Sequence, residues 1–217
     1  MTSYPRTPPM IGSPIRIAVC VSGGGTTLQN LIDRIQHGDL LAEISVVIAD
    51  RPGIGAIERA ERAGLPAVVV TKAGLERAEF SRLVFEAIES HQTDLVILGG
   101  FLSLLPIEAR FHHKVLNIHP SLIPAFCGRG FHGEAVHRAA LEVGVKVSGC
   151  TVHIADDTYD TGPIVSQKVV PVLDDDTPAS LAARVFAAEC DVLPEVIELY
   201  RLGRLKVEGR RVRTTLG

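Results

Sequence analysis

Short apolar runs alternate with helix-like segments through the first 145 residues of the chain. Several of these runs are apolar throughout, as expected for strands buried on both faces of a sheet. They predict strands at 15–22, 43–50, 67–71, 95–100 and 115–119. Between them, apolar residues recur with helical spacing at 27–37, 55–64, 77–91 and 133–144. Gly38, Gly64 and Gly144 stand at or just after three of these segments, where glycine commonly ends a helix.

The pattern changes after Val147, where two strand-like runs are joined by only a turn. Segments 147–155 and 163–172 predict an antiparallel strand pair toward the C-terminus. A helix is then predicted from Thr177 to Leu202, with threonine as its cap and a proline at its first position, and a small strand pair follows at 206–214. The predicted fold class is α/β: a doubly wound, Rossmann-like, mostly parallel sheet with helices on both faces and this antiparallel pair.

The composition is that of an ordinary globular protein, with 46% hydrophobic and 22% charged residues among 217 and a formal net charge of −3. It gives no general attraction to nucleic acid, and no apolar run is long enough to cross a membrane, so we expect small-molecule partners. Residues 1–14 contain four prolines and no apolar signal segment, which predicts a disordered arm and a cytoplasmic protein. The four cysteines lack CxxC spacing, so no metal site is expected.

A glycine-rich segment, Ser22 to Thr27, follows the first strand and opens the first helix. Free main-chain N–H groups at a helix start can hold an anion such as phosphate, and the hydroxyls of Ser22, Thr26 and Thr27 add donors. The segment lacks the Walker lysine, and Leu28 replaces the last glycine of GxGxxG. Taken alone, it fits a phosphate loop and a simple tight turn about equally well.

The fifth predicted strand ends in Asn117-Ile118-His119. Alternate residues of a strand project from the same face, so Asn117 and His119 can reach one substrate atom, the first with hydrogen-bond donors and the second with a proton. Asp160 lies in a polar turn where Thr-Gly-Pro bends the chain, and its carboxylate can meet His119. Such a pairing makes His119 easier to protonate than free imidazole. The structural alternative is an Asn that caps a turn beside a packed His.

Together these motifs resemble the folate-dependent formyltransferases, and in particular the phosphoribosylglycinamide formyltransferase family of purine synthesis. The resemblance rests on 22–27, 117–122, 149–153 and 160–163, in the family's order, and covers roughly residues 15–207. It implies transfer of the formyl group of 10-formyltetrahydrofolate, a co-substrate, to the amine of 5′-phosphoribosylglycinamide. No metal is needed. It also implies a single domain at 15–217, with a phosphate-binding half at 15–115 and a catalytic and folate-binding half at 116–217.

The resemblance also assigns roles to individual residues. Asn117, His119 and Asp160 would be catalytic, with Thr151 and His153 supporting them from behind. The ribonucleotide would contact Gly23, Gly24, Gly25, Thr26, Thr27 and Glu189, and folate would contact Arg77, Phe101, Leu102, Ser103, Leu104, Leu105 and Asn117. The chain departs from the family pattern in three places: many relatives have Asn at Gly24 or Thr27, Phe186 stands where relatives often have a polar residue, and the 126–133 loop is longer than the commonest version. His132 and His137 can reach substrate, although surface or helix roles fit them better.

Two other functions stay open. Formyltetrahydrofolate deformylase shares the catalytic motif, although it carries an extra N-terminal domain for which this chain has no room. A non-catalytic Rossmann-like ligand-binding module would use the glycine-rich segment alone, but the Asn117, His119 and Asp160 pattern argues against it. The missing last glycine disfavours a dehydrogenase. The sequence is silent on oligomeric state, and a homodimer is one alternative.

Overall fold

The structure is a computed structural model that describes residues 12–215, so positions 1–11 of the predicted arm lie outside the described residues. The elements are β1 (Ile15–Val21), α1 (Thr26–His37), β2 (Ala42–Ala49), α2 (Gly55–Arg62), β3 (Ala67–Val69), α3 (Arg77–Ser90), β4 (Leu95–Leu98), a 3₁₀ turn (Ala109–Phe111), β5 (Val115–His119), α4 (Glu134–Val143), β6 (Val147–Ile154), β7 (Ile164–Pro171), α5 (Pro178–Arg201), β8 (Leu205–Glu208) and β9 (Arg211–Thr214). All the predicted strands and helices are present, and their ends differ from the predicted ones by at most two residues.

The strands form one nine-stranded sheet in the order β3-β2-β1-β4-β5-β6-β7-β9-β8. The first five strands are parallel, β6 runs antiparallel to β5, and β7 antiparallel to β6. The predicted fold class is confirmed. The C-terminal pair β8–β9 also joins this sheet, through a single parallel bridge between Ile164 and Arg211. The sequence did not indicate that attachment.

Apolar side chains cover both faces of the sheet. On β1, Ile17 and Val19 belong to the core that packs under α1, α2, α4 and α5, whereas Ala18 and Cys20 belong to a second core under α3. Both pairs are fully buried. A strand with no solvent-facing side must be apolar at successive positions, which is why these strands lack polar alternation.

The strand order reverses between β1 and β4, and in such sheets a crevice opens there at the carboxyl ends of the strands. The glycine-rich segment follows β1, residues 99–105 follow β4, and His119 ends β5, so all three meet at this crevice. The turn between β6 and β7 brings Asp160 to the same place. A Cβ on Gly162 would lie 1.8 Å from the carbonyl oxygen of Ile154, so this turn requires glycine.

Helix α5 begins with a capping box in which Thr177 and Ser180 each bind the other's main-chain N–H, and it continues through Pro194. Its buried face packs on β6 and β7, and Glu189, a partly exposed residue of this helix, lies at the crevice. Among residues 12–215, no helix combines the length and the apolar character needed to cross a membrane.

Candidate active site

Asn117, His119 and Asp160 meet at the crevice. Nδ1 of His119 lies 3.5 Å from Oδ2 of Asp160, and Nδ2 of Asn117 lies 3.2 Å from Oδ1 of the same carboxylate. Asn117 and His119 are alternate residues of β5, as the sequence predicted, and the β6–β7 turn supplies the carboxylate. One carboxylate therefore joins the amide and the imidazole.

The amide of Asn117 is fixed from two sides. Its Nδ2 donates to Asp160 and lies 2.9 Å from Nε2 of His153. Nδ1 of His153 is 3.0 Å from the carbonyl oxygen of Ile154, so the imidazole carries its proton on Nδ1 and Nε2 accepts from the amide. Both amide protons are thus engaged, and His153 orients Asn117 from behind. Donation to a substrate oxygen requires Asn117 to give up one of these bonds.

His119 is buried, and burial lowers the pKa of its imidazole. The Asp160 carboxylate and the carbonyl oxygen of Phe126, 3.0 Å from Nε2, offset this effect only in part. The prediction that His119 is easier to protonate than free imidazole is therefore wrong. The sequence indicates the pairing with Asp160, but it does not show that the folded chain buries the imidazole. A neutral ring can donate to only one of its two neighbouring oxygens, whereas a protonated ring donates to both. At neutral pH, His119 is therefore placed to accept a proton.

Asp160 is ionised at neutral pH. Burial alone would raise the pKa of its carboxyl, but the main-chain N–H of Gly128, together with the imidazoles of His153 and His119 in their protonated forms, holds the pKa below its usual range. The Gly128 N–H donates to Oδ2 at 2.8 Å. The 126–133 loop thus contacts both His119 and Asp160, through Phe126 and through Gly128.

Two cavities adjoin these residues. The larger, of about 660 Å³, extends from Thr26 and Thr27 across the loop and α4 to α5. The smaller, of about 60 Å³, lies beside residues 103–107 and His153. The two share a set of lining residues: Phe101, Asn117, Tyr159 and Asp160. The Asp160 carboxylate thus lies at the junction between them.

The other predicted contact residues divide into those that line a cavity and those that do not. Thr26, Thr27, Glu189, Phe101 and Leu102 line the larger cavity, and Phe101, Ser103, Leu104 and Leu105 line the smaller one. Gly23, Gly24 and Gly25 line neither, but they lead directly into Thr26. Arg77 is exposed at the first residue of α3 and also lines neither cavity.

Asp50, which the sequence analysis missed, links two of these segments. Its Oδ2 accepts hydrogen bonds from the hydroxyls of Ser22 at 2.7 Å and Ser103 at 2.8 Å, and the Ser22 oxygen accepts from the N–H of Leu102. The hydroxyl of Ser22 is therefore engaged within the fold, and the expectation that it adds a phosphate donor is wrong. A sequence signal existed: Asp50 is an acidic residue directly after the apolar strand β2, at the strand end where ligands bind.

Thr151 holds the segment that follows His119. Its hydroxyl donates to the carbonyl oxygen of Ser121 at 2.6 Å and accepts from the N–H of Ile123 at 3.1 Å and from Gln167 at 3.0 Å. We expect Thr151→Val to lower the free energy of unfolding by about 3 kcal/mol, because two main-chain groups lose a partner at roughly 1–3 kcal/mol each. Urea denaturation measures the change.

Thr151→Ser is the matched control, because it keeps the hydroxyl and removes only a methyl group. We expect the serine variant to retain most of the stability that valine loses. Equal losses in both variants would mean that the methyl group, and not the three hydrogen bonds, stabilises this segment.

Glu189 faces the larger cavity from α5, and burial raises the pKa of its carboxyl to about 8. The folded protein therefore keeps a proton that the unfolded chain loses near its ordinary pKa of 4.5. Stability must fall as the pH rises from that value through about 8, since the unfolded state binds fewer protons. We expect Glu189→Gln to remove this dependence. Calorimetric Tm values at pH 5 and pH 9 measure it.

Glu195→Gln is the control for that measurement, because Glu195 is an exposed carboxylate on the same helix. The Tm difference between Glu189→Gln and wild type should grow toward pH 9, while Glu195→Gln should follow wild type. A constant difference across this range would contradict a protonated Glu189.

The family model described as formyl transferase matches residues 15–197. The chain belongs to the formyl transferase family. Glycinamide ribonucleotide transformylase 1 from Symbiobacterium toebii, a solved structure, is 43% identical to this formyl transferase, with a TM-score of 0.88 over 94% of this chain and 96% of that one. The resemblance predicted from the motifs is confirmed.

Curated relatives of this formyl transferase are longer proteins. The chloroplastic phosphoribosylglycinamide formyltransferase of Vigna unguiculata is 38% identical over 84% of this chain and 60% of its own length. The trifunctional purine biosynthetic protein adenosine-3 of Homo sapiens is 38% identical over 88% of this chain and 19% of its own length. The chain thus spans less than two thirds of either relative.

Proposed function

We propose that this formyl transferase moves the formyl group of 10-formyltetrahydrofolate to the glycinamide amine of 5′-phosphoribosylglycinamide, a step of de novo purine (IMP) biosynthesis. The observation that carries this proposal is the convergence of Asn117, His119 and Asp160 where two cavities meet. A transfer reaction between two bound substrates needs such a junction, because the amine must reach the formyl carbon. The similarity to a glycinamide ribonucleotide transformylase over nearly its whole length supports the choice of acceptor.

The amine nitrogen attacks the formyl carbon, the carbonyl oxygen becomes an oxyanion, and the nitrogen carries one proton too many. His119, neutral at rest, takes up this proton and then donates to both Asp160 and Phe126. Asn117 turns one N–H from Asp160 to the oxyanion. In other enzymes, removal of one such donor costs roughly 3–4 kcal/mol of transition-state stabilisation. As the bond to the folate nitrogen breaks, that nitrogen receives the proton, and the products are formylated ribonucleotide and tetrahydrofolate.

The remaining predicted residues position the substrates. The phosphate binds at the start of α1, where Thr26 and Thr27 line the larger cavity, and Glu189 contacts the ribose hydroxyls. The folate ring system lies along residues 101–105, which line the smaller cavity and its junction with the larger one. Holding the amine and the formyl group together removes most of the entropy cost of their encounter. Arg77 lies outside both cavities and is proposed to contact the benzoyl-glutamate end of folate.

One assay tests this proposal against its alternatives. The protein is incubated with 10-formyltetrahydrofolate, with and without the ribonucleotide, and release of tetrahydrofolate is followed. Release that depends on the ribonucleotide supports formyl transfer. Release without it indicates hydrolysis, the deformylase reaction, and no release under either condition indicates a binding module.

We also propose that the protein is cytoplasmic and that two copies can associate as a homodimer. Sedimentation velocity across a range of protein concentrations tests the homodimer, and a single monomeric species at every concentration would exclude it.

A further inference from the structure

His137 is a buried imidazole with an unpaired nitrogen in the wall of the larger cavity. The residue is only 4% exposed, and it lines the cavity from the fourth position of α4. Its Nδ1 is inaccessible to solvent and has no hydrogen-bond partner among residues 12–215. A buried polar atom without a partner lowers the stability of a protein, so an apolar side chain here would give a more stable protein.

The nearest acidic side chain does not satisfy this ring. Glu134, one helical turn earlier, is paired with Arg138 at 2.6 Å. The pKa of His137 is lowered, first by burial and then by the charge of His119, so the two rings are neighbours and His137 is neutral at pH 7. A neutral imidazole has one proton. With no acceptor at Nδ1, that proton belongs on Nε2, where an oxygen atom in the cavity can accept it.

We propose that His137 is a further substrate-binding residue, and that its Nε2–H donates to the amide carbonyl oxygen of the glycinamide group. This inference rests on the proposed function. The carbonyl is one methylene away from the reacting amine, so a donor beside His119 is close to it when the amine reaches the catalytic residues. In the proposed function Thr26 and Thr27, which line the cavity, bind the phosphate end and Glu189 contacts the ribose, so no residue has yet been assigned to the amide carbonyl.

Steady-state kinetics of His137→Leu test the inference. Leucine has nearly the same volume but no donor, so the Michaelis constant for the ribonucleotide should rise roughly tenfold, which corresponds to the loss of one hydrogen bond. The Michaelis constant for 10-formyltetrahydrofolate and kcat should stay within about twofold. The Tm of the variant should not fall, because the substitution removes the unpaired buried nitrogen. A purely structural residue would show the opposite pattern.

A pair of amide variants gives a second test that does not depend on leucine being tolerated. In His137→Gln the side-chain NH₂ reaches the position of Nε2, whereas in His137→Asn it reaches only the position of Nδ1. Glutamine should keep a near-wild-type Michaelis constant for the ribonucleotide, and asparagine should not. Equal constants in wild type, Leu, Gln and Asn, or an equal rise for folate, would overturn this role for His137. Absence of ribonucleotide-dependent release by wild type would instead overturn the proposed function.

Discussion

Asp160→Asn is expected to lower kcat by roughly 10²–10⁴-fold, the range for the loss of a group that acts in proton transfer. The carboxylate accepts hydrogen bonds from Asn117 and Gly128 and faces His119. An asparagine side chain in its place has no negative charge, and its NH₂ group would face an N–H group that now donates to the carboxylate. His119→Ala should produce a loss of similar size, because it removes the proton acceptor. Both Michaelis constants should change much less than kcat. Single-turnover and steady-state measurements of tetrahydrofolate release determine these values.

The pH dependence provides a separate readout of the same pair. In the proposed mechanism the neutral form of His119 is the active one. Burial lowers the pKa of His119, so kcat/KM should rise with pH, with a midpoint below the ordinary imidazole value of 6.5. The charge of Asp160 opposes that lowering. The kcat/KM that remains in Asp160→Asn should therefore rise with a midpoint at a still lower pH.

Asp174→Asn is the control, because Asp174 is an almost fully exposed carboxylate that pairs with Lys146 on the surface. It should leave kcat unchanged. Circular dichroism should show that all three variants are folded. Near-wild-type turnover in either Asp160→Asn or His119→Ala would contradict the catalytic roles proposed for them.

Gly25→Val is expected to raise the Michaelis constant for the ribonucleotide by roughly two orders of magnitude, since several N–H contacts to phosphate are lost at about 0.5–1.5 kcal/mol each. Gly25 caps α1 with φ 73°, a left-handed conformation that valine strongly disfavours. A Cβ would also lie 2.7 Å from the Cβ and 2.8 Å from the Cα of Ala56, so the start of α1 must move away from α2. The Michaelis constant for folate should change far less.

Gly38→Val separates the loss of binding from backbone strain. Gly38 caps the other end of the same helix with φ 81°, and a Cβ there would have no neighbour within 4 Å. This variant should lower stability through strain while leaving both Michaelis constants near their wild-type values. If Gly25→Val affects folate and ribonucleotide equally, the phosphate does not bind at the start of α1.

Most of the fold could be predicted from local pattern, because strands buried on both faces and amphipathic helices leave clear signatures in the sequence. The attachment of β8–β9 could not, since it depends on one bridge between Ile164 and Arg211, which are distant in the chain. No local periodicity encodes a contact of this kind. Antiparallel strands joined by a short turn were predictable, because their pairing follows from the turn.

In the candidate site, too, some features were predictable from local pattern and others depend on distant segments. Asn117 and His119 were predictable from the two-residue period of a strand, and Asp160 from its turn and from the family resemblance. The lowered pKa of His119 was not, because burial is set by walls from several distant segments. The burial of His137 was partly predictable. Val136, His137 and Ala140 are the buried residues of α4, so the histidine lies on the apolar stripe of that helix. A surface role was therefore the weaker reading.

Asp50 has a consequence for attempts to change the specificity of this protein. One buried carboxylate binds Ser22, which precedes the glycine-rich loop, and Ser103, which lies in the proposed folate-binding segment. Side chains that share a hydrogen-bonding partner do not contribute independently. Substitutions of Ser22 or Ser103 that change the selectivity of one binding pocket will therefore also change that of the other. Mutant libraries should vary the two segments together and not one after the other.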